Sequence, residues 1–159
     1  MAPIKRHEAL QQLSRDHHHG LLLCFKIRQG VKKEVDLERI RNYNTYFFKN
    51  YLTSHFREEE EHVFPLLGKD HPFIMKALEQ HRELEAKFKE GNGNEEQLLA
   101  LADALENHIR FEERELFNFI QEEATEEDLR KLKEVLNHEN PNVDANWTDH
   151  YWEYEHRKQ

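Results

Sequence analysis

What this chain has little of narrows it first. It carries one cysteine, Cys24, so no disulfide can form within it, and a lone thiol fits a reducing compartment. Four prolines and five glycines in 159 residues leave few interruptions to regular structure. β-Branched residues are also sparse, which argues against sheet. The longest apolar run, Leu21 to Phe25, is five residues, far short of the ~20 that cross a bilayer. The opening Met-Ala-Pro-Ile-Lys-Arg-His has no apolar signal-peptide core. These absences imply a soluble, cytoplasmic protein with no membrane partner. Basic surface is scarce too. The net charge is −9 and the only basic run is His156-Arg157-Lys158, so nucleic acid is not an expected partner.

What is present is helical in character. Charged residues make up 35% of the chain, and Leu, Glu, Lys, Gln and Arg dominate, a mixture that reads as long amphipathic helices with wet outer faces. The length suits a single domain spanning 1–159 around one core. Helix 1 is expected from near Pro3–Ile4 to about Gln29, with Gly30 as its stop. Asp36 caps helix 2, which runs to about Leu67 before Gly68, with Pro65 loosening its last turn. His71-Pro72 opens helix 3, ending near Glu90. After the turn Gly91-Asn92-Gly93-Asn94, helix 4 starts from the Asn94 cap and reaches about Glu122. Thr125 to Asp128 resembles a capping box that opens a fifth helix over about 125–138. Past Pro141 comes a tail, 139–159, with Trp147, Tyr151, Trp152 and Tyr154. Short links between long helices make antiparallel neighbours. The expected fold is all-α: an up-down-up-down antiparallel four-helix bundle over about 4–122, with a short fifth helix and an aromatic C-terminal tail.

Two segments of the chain are near-copies, offset by 53 residues. His55 is followed by Glu59-Glu60 and Phe64; His108 is followed by Glu112-Glu113 and Phe117. Four residues is just over one helical turn, so each imidazole and carboxylate project side by side from one face. A third such pair is His81/Glu85. Spacing alone carries little weight, because 25 Glu and 12 His give about two such pairs by chance. Position carries more. In helix 2 the apolar stripe Ile40, Phe48, Leu52 and Val63 is interrupted by His55 and Glu59. In helix 4 the stripe Leu98, Leu101, Leu105, Leu116 and Phe119 is interrupted by His108 and Glu112. Helices 1 and 3 each turn one His inward, His17 and His81, again near mid-length.

Two carboxylates and four imidazoles on core faces cost several kcal/mol of lost hydration unless partnered. Divalent metal removes that cost, since neutral His and ionised Glu are ligands that transition metals take. The set suits two ions, each with two imidazoles, and both carboxylates bridging. Other histidines read differently. His18 and His19 fall on the flank of helix 1, and His62 sits beside the helix 2 stripe as a ligand or a boundary residue. His7, His71, His138, His150 and His156 are expected to face solvent. Glu60 and Glu61 are assigned to the outer face, and Cys24 to core packing.

At these residues the chain resembles the hemerythrin-like family, the HHE cation-binding bundles. The likeness covers roughly residues 7–122 and rests on Asp16-His17, His55/Glu59-Glu60 with Phe64 to Leu67, Gln80-His81, and His108/Glu112-Glu113. The resemblance implies two iron ions joined by an oxo or hydroxo bridge. Carried across, one iron takes His17 and His108, the other His55 and His81, and Glu59 and Glu112 bridge them. The chain departs from oxygen-carrying members, which have a His where Glu85 stands and a helix 4 acid one position further on. Glu85 therefore either supplies a replacement oxygen ligand or leaves the position to water. The pattern is closer to four-His, two-Glu members associated with nitrosative stress, although their Cys-containing N-terminal domain is absent from this sequence.

The function so implied is a non-haem di-iron protein that binds or reacts with O₂, NO or peroxide in sensing, detoxification or an iron-linked stress response. An apolar wall of Phe48, Leu52, Leu105, Phe111 and Leu21 is expected to keep the site dry. The alternative is a non-catalytic metal-dependent sensor module or iron store, with the aromatic tail docking on a partner; packing of the tail back over the bundle is the favoured reading. Structural zinc fits less well, because such sites are Cys-rich.

Overall fold

The computed structural model of the protein describes residues 5–90, 92–136 and 142–153. The expected helix start at Pro3–Ile4, Gly91, His138, Pro141, Tyr154, His156 and the rest of the basic run lie outside them, as does the end of helix 5 past Leu136.

Five helical rods and no strand are formed among the described residues. α1 is Glu8–Lys32 and α3 is Pro72–Lys89, both regular. α2 spans 37–66 and α4 spans 95–123, and each is composite. α5 is Glu126–Val135. α1 packs against α2 and α4, and α3 closes the ring against the same two; α5 lies on α1 and the far end of α2. The antiparallel bundle expected from the sequence is what forms.

Local chemistry explains the helix ends. The Asp36 side chain accepts from the Glu38 amide, Pro72 stands in the first turn of α3, and Asn94/Gln97 and Thr125/Asp128 close reciprocal capping boxes. Two further caps are histidines expected to face solvent. Nδ1 of His7 accepts from the Ala9 amide and Nδ1 of His71 from that of Phe73, each at 3.0 Å. A neutral imidazole lone pair here takes the part usually played by an Asn or Asp oxygen. His150 is also half-buried, stacked on Trp152 at 5.0 Å. Gly68 terminates α2 at φ 90°, as its position implies. Gly30 does not terminate α1. It is buried inside the helix beside Ile40 and Tyr151, and the left-handed residue after the helix is Glu34, at φ 58°.

α2 and α4 are not uniform α-helices. In α2, π-helical turns occupy Phe48–Leu52 and Glu59–Val63, followed by a 3₁₀ turn at Phe64–Leu66 around Pro65. In α4 a π turn occupies Glu112–Leu116. The amide of Phe64 bonds the carbonyl of Glu59, and that of Phe117 the carbonyl of Glu112, each five residues back. The two turns fall at equivalent places in the repeat. From the last residue of the turn in α4 onward the buried positions are Leu116, Phe117 and Ile120, and Phe119 is only half-buried. One residue of extra turn accounts for that change of register.

The core falls into two clusters, one around Ile27, Tyr43, Leu101 and Leu105, the other around Leu13, Ile74, Leu116 and Phe117. Each fully buried Leu or Phe contributes about 1.5–3 kcal/mol. The tail packs back over the first cluster, with Tyr151 fully buried and Asp144 bound to the Tyr43 hydroxyl and the Lys26 ammonium. Among the described residues, no helix is long and apolar enough to cross a membrane.

Candidate metal centre

The polar layer sits where π turns and mid-helix histidines meet. His17, His55, Glu59, His81, His108 and Glu112 are all buried, and both glutamates are completely so. Each carboxylate faces both halves of the layer. Glu59 Oε2 lies 3.2 Å from His55 Nε2 and 3.6 Å from His17 Nε2, while its Oε1 is 3.0 Å from His81 Nε2. Glu112 Oε1 is 2.8 Å from His17 Nε2, and its Oε2 is 3.3 Å from His108 Nε2 and 3.7 Å from His81 Nε2. Two compact ligand groups result: His17 and His55 with both glutamates, and His81 and His108 with both glutamates.

This pairing differs from the one carried over from the family pattern, which joined His17 to His108 and His55 to His81. The rings that meet are His17/His55, with centroids 4.9 Å apart, and His81/His108, at 4.8 Å. Glu85 stands apart from the six. It is half-buried on the flank of α3, with Oε1 3.4 Å from the Arg82 guanidinium. His18 and His62 are exposed, His19 is half-buried, and Cys24 is buried with its thiol donating to the Ala102 carbonyl. Of the expected apolar wall, Phe48, Leu52, Leu105 and Phe111 are buried, whereas Leu21 is half-buried.

All four imidazoles present Nε2 inward because each Nδ1 is held from behind. Asp16 Oδ2 holds His55 at 3.2 Å and Gln80 Oε1 holds His108 at 2.7 Å. Glu113 Oε2 holds His17, and Glu60 Oε2 holds His81, both at 2.6 Å. The sequence doublets acquire a purpose: in Asp16-His17 and Gln80-His81 the first residue orients a histidine on a neighbouring helix. In Glu59-Glu60 and Glu112-Glu113 the second glutamate does so. Glu60, assigned to the outer face from its phase, is half-buried and also pairs with Arg82. The signal that could have found it was the repetition of the Glu-Glu pair itself.

Aromatic rings complete the enclosure. Phe117 stacks on His17 at 5.3 Å, and Phe64 on His81 at 5.4 Å, so the aromatic at the end of each repeat covers a histidine of another helix. Phe56 stacks on the other face of the pair at 3.9 Å from His81.

The layer is unsatisfied by protein alone. His55 Nε2, His108 Nε2, Glu59 Oε2 and Glu112 Oε2 are buried without a hydrogen-bond partner, a costly state for polar atoms in a dry interior. Burial acts to lower the pKa of His55, yet the nearby Glu59 charge and the bond to Asp16 raise it to about 9. His17 and His81 are raised in the same way by surrounding carboxylates. Burial, reinforced by His81, lowers His108 to about 4 despite Glu112. Glu59 is held well below the usual range, with the imidazoles overcoming its burial. Nitrogen and carboxylate donors in this number, with orphaned lone pairs aimed at common points, fit divalent transition metal.

The fold and the layer define a helical bundle with a buried histidine–carboxylate metal-binding centre. The family model described as the hemerythrin HHE cation-binding domain matches residues 8–120. The chain belongs to that family. No curated protein and no solved structure matches it.

Proposed function

We propose that this single domain holds two iron ions, one by His17 and His55 and the other by His81 and His108, with Glu59 and Glu112 spanning both. The reading assigns the protein a role in binding or reacting with O₂, NO or peroxide, as a sensor, a detoxifier or part of an iron-linked stress response. The observation that carries it is the convergence of four inward Nε2 atoms on two carboxylates whose free oxygens have no protein partner.

The chain's own residues do three things in this reading. Asp16, Gln80, Glu60 and Glu113 fix each imidazole with its proton on Nδ1, leaving the Nε2 lone pair free for metal. Phe56, Phe64, Phe117 and Leu105 exclude water, so charge changes at the centre are felt at low dielectric. The two carboxylates each turn one oxygen to either half, so both would help to hold the two ions. Iron, when bound, supplies redox equivalents and open positions for a small ligand.

The test is metal analysis with optical spectra of the reduced protein before and after O₂ and NO. Two irons per chain with a ligand-dependent spectral change support the reading. His55→Ala or His108→Ala should abolish stoichiometric loading. Zinc alone, or loading that survives both changes, overturns it. An iron store differs in a further respect: it would load and release iron without a spectral response to NO.

A further inference from the structure

Beside the centre lies a cleft of about 390 Å³, whose inner end is formed by Asp16 and His55. Its apolar wall is Phe47, Tyr51, Leu52 and Val143. Three of these belong to α2, but Val143 comes from the C-terminal segment, some ninety residues further along the chain. A second cavity of about 140 Å³ shares His19, Phe47 and Val143 with the first, so those side chains form the partition between the two.

The segment bearing Val143 is held at defined points. The Val143 carbonyl accepts from the Tyr46 hydroxyl at 2.8 Å. The next residue, Asp144, accepts from the Tyr43 hydroxyl at 2.6 Å and the Lys26 ammonium at 2.9 Å. On the other side of the centre a cavity of about 380 Å³ reaches Gln80, the partner of His108, but is lined by neither His81 nor His108. These two are 0% and 1% exposed, under Phe56 and Phe64, while His55 is 6% exposed and lines the first cleft.

We infer that this cleft is the route by which small molecules reach the centre, and that Val143 sets the size of what passes. The inference rests on the metal-centre reading for its consequence, but the route itself is a property of the protein matrix. A volume of 390 Å³ admits molecules far larger than a diatomic. Val143 is the apolar wall residue supplied from outside α2, so its bulk bears directly on the room left in the cleft that His55 lines. Asp16, Glu58 and Glu61 face the cleft against the single guanidinium of Arg57, so neutral ligands are favoured over anions. The C-terminal segment thereby acts on the ligands the bundle accepts, although none of its described residues stands in either ligand group.

The experiment compares the full chain with Val143→Ala and Val143→Trp, each loaded with iron(II). The rates at which hydrogen peroxide and tert-butyl hydroperoxide change its absorption are measured. Val143→Trp should slow the bulky peroxide about tenfold relative to hydrogen peroxide, and Val143→Ala should move that ratio the other way. An unchanged ratio in all three proteins overturns the inference. A second measurement needs no metal. A neutral nitroxide added to the metal-free protein should broaden the His55 ring resonances more than those of His81 and His108, and Val143→Trp should remove most of that excess. Equal broadening overturns the route. Val143→Leu serves in both measurements if the tryptophan variant does not fold. A wild-type chain that takes up no iron sinks the metal reading, and the nitroxide result then still decides the route.

Discussion

The Glu60 carboxylate accepts a hydrogen bond from Nδ1 of His81 at 2.6 Å, across from α2 to α3. Its counterpart in the repeat, Glu113, makes the same bond to His17 from α4 to α1. Each half of the centre is therefore oriented by a carboxylate that stands next to a spanning one. Glu60→Ala and Glu113→Ala should each lower metal affinity about 10- to 100-fold, the usual loss when an orienting partner of a ligating histidine is removed. Helix content should stay the same. Competition titration against a fluorescent chelator measures this, and unchanged affinity in both variants would show the two bonds to be incidental.

The metal-free protein should have an unusual dependence on pH. A histidine raised to about 9 in the folded state, as His55 is, binds its proton more tightly folded than unfolded, where its pKa is ~6.5. Its contribution is complete below about pH 6.5 and is lost as pH rises through about 9. His17 and His81 act in the same direction. His108, lowered to about 4, acts oppositely and removes stability as pH falls from ~6.5 toward 4. The metal-free melting temperature should thus fall by several degrees between about pH 6.5 and 9. Metal affinity should rise over the same interval, because the ligands must lose their protons. Thermal melts of metal-free and loaded protein across that range test this. A metal-free Tm that stays flat or rises would contradict the assigned charge states.

Much of this was legible in the sequence, and the reason is periodicity. A histidine and a glutamate inside an apolar stripe have only one place to point, so His55, Glu59, His108 and Glu112 could be placed in the core before any coordinates. Asp36, Pro72, Asn94 and Thr125 marked their helix ends by capping chemistry alone. What failed did so where the helix stops being uniform or where the partner is distant in sequence. The π turns at Glu59 and Glu112 shift phase by one residue, which spoiled the assignment of Phe119 and concealed Ile120. The pairing of histidines depends on which helices are adjacent at one depth, and stripe analysis does not supply that. Gly30 was misread because glycine at a helix end and glycine beneath a packed aromatic look the same in sequence, and only Tyr151, far along the chain, tells them apart.

Two buried glycines of α1 should respond differently to the same substitution. Alanine is worth about 1 kcal/mol over glycine inside a helix. At Gly20 the added Cβ would meet the Cδ1 of Ile109 at 2.7 Å, and that is the free end of a flexible side chain. At Gly30 it would meet Tyr151 Cε1 at 2.7 Å and Ile40 Cδ1 at 2.8 Å, and the ring is fully buried. Overpacking of that kind costs about 1–3 kcal/mol. Gly20→Ala should be neutral or stabilising by up to about 1 kcal/mol, whereas Gly30→Ala should be the more destabilising, by up to about 2 kcal/mol net, and loosen the tail. Urea unfolding of both variants decides it; equal effects would mean the tail does not pack as described.

The attachment of the tail can be tested through charge. Asp144 is pulled two ways: burial acts to raise its pKa, and the hydrogen bonds from Tyr43 and Lys26 overcome this and hold it below the usual carboxylate range. Lys26 is buried, and its side chain also lies 4.0 Å from the Trp152 ring. Asp144→Asn removes the counter-charge and should cost about 1–2 kcal/mol, less than a fully buried pair because the Asp144 side chain keeps some solvent contact. A depressed carboxylate stabilises the fold above its unfolded pKa and loses that effect as pH falls through the folded value. The gap between wild type and variant should therefore be constant from pH 7 to about 4 and close below it. In a Lys26→Met background the same substitution should cost less, since no cation is left unpaired. Tryptophan fluorescence of Trp147 and Trp152 reports the tail directly. A gap that persists into acid, or that is as large without Lys26, would show that this ion pair does not hold the segment in place.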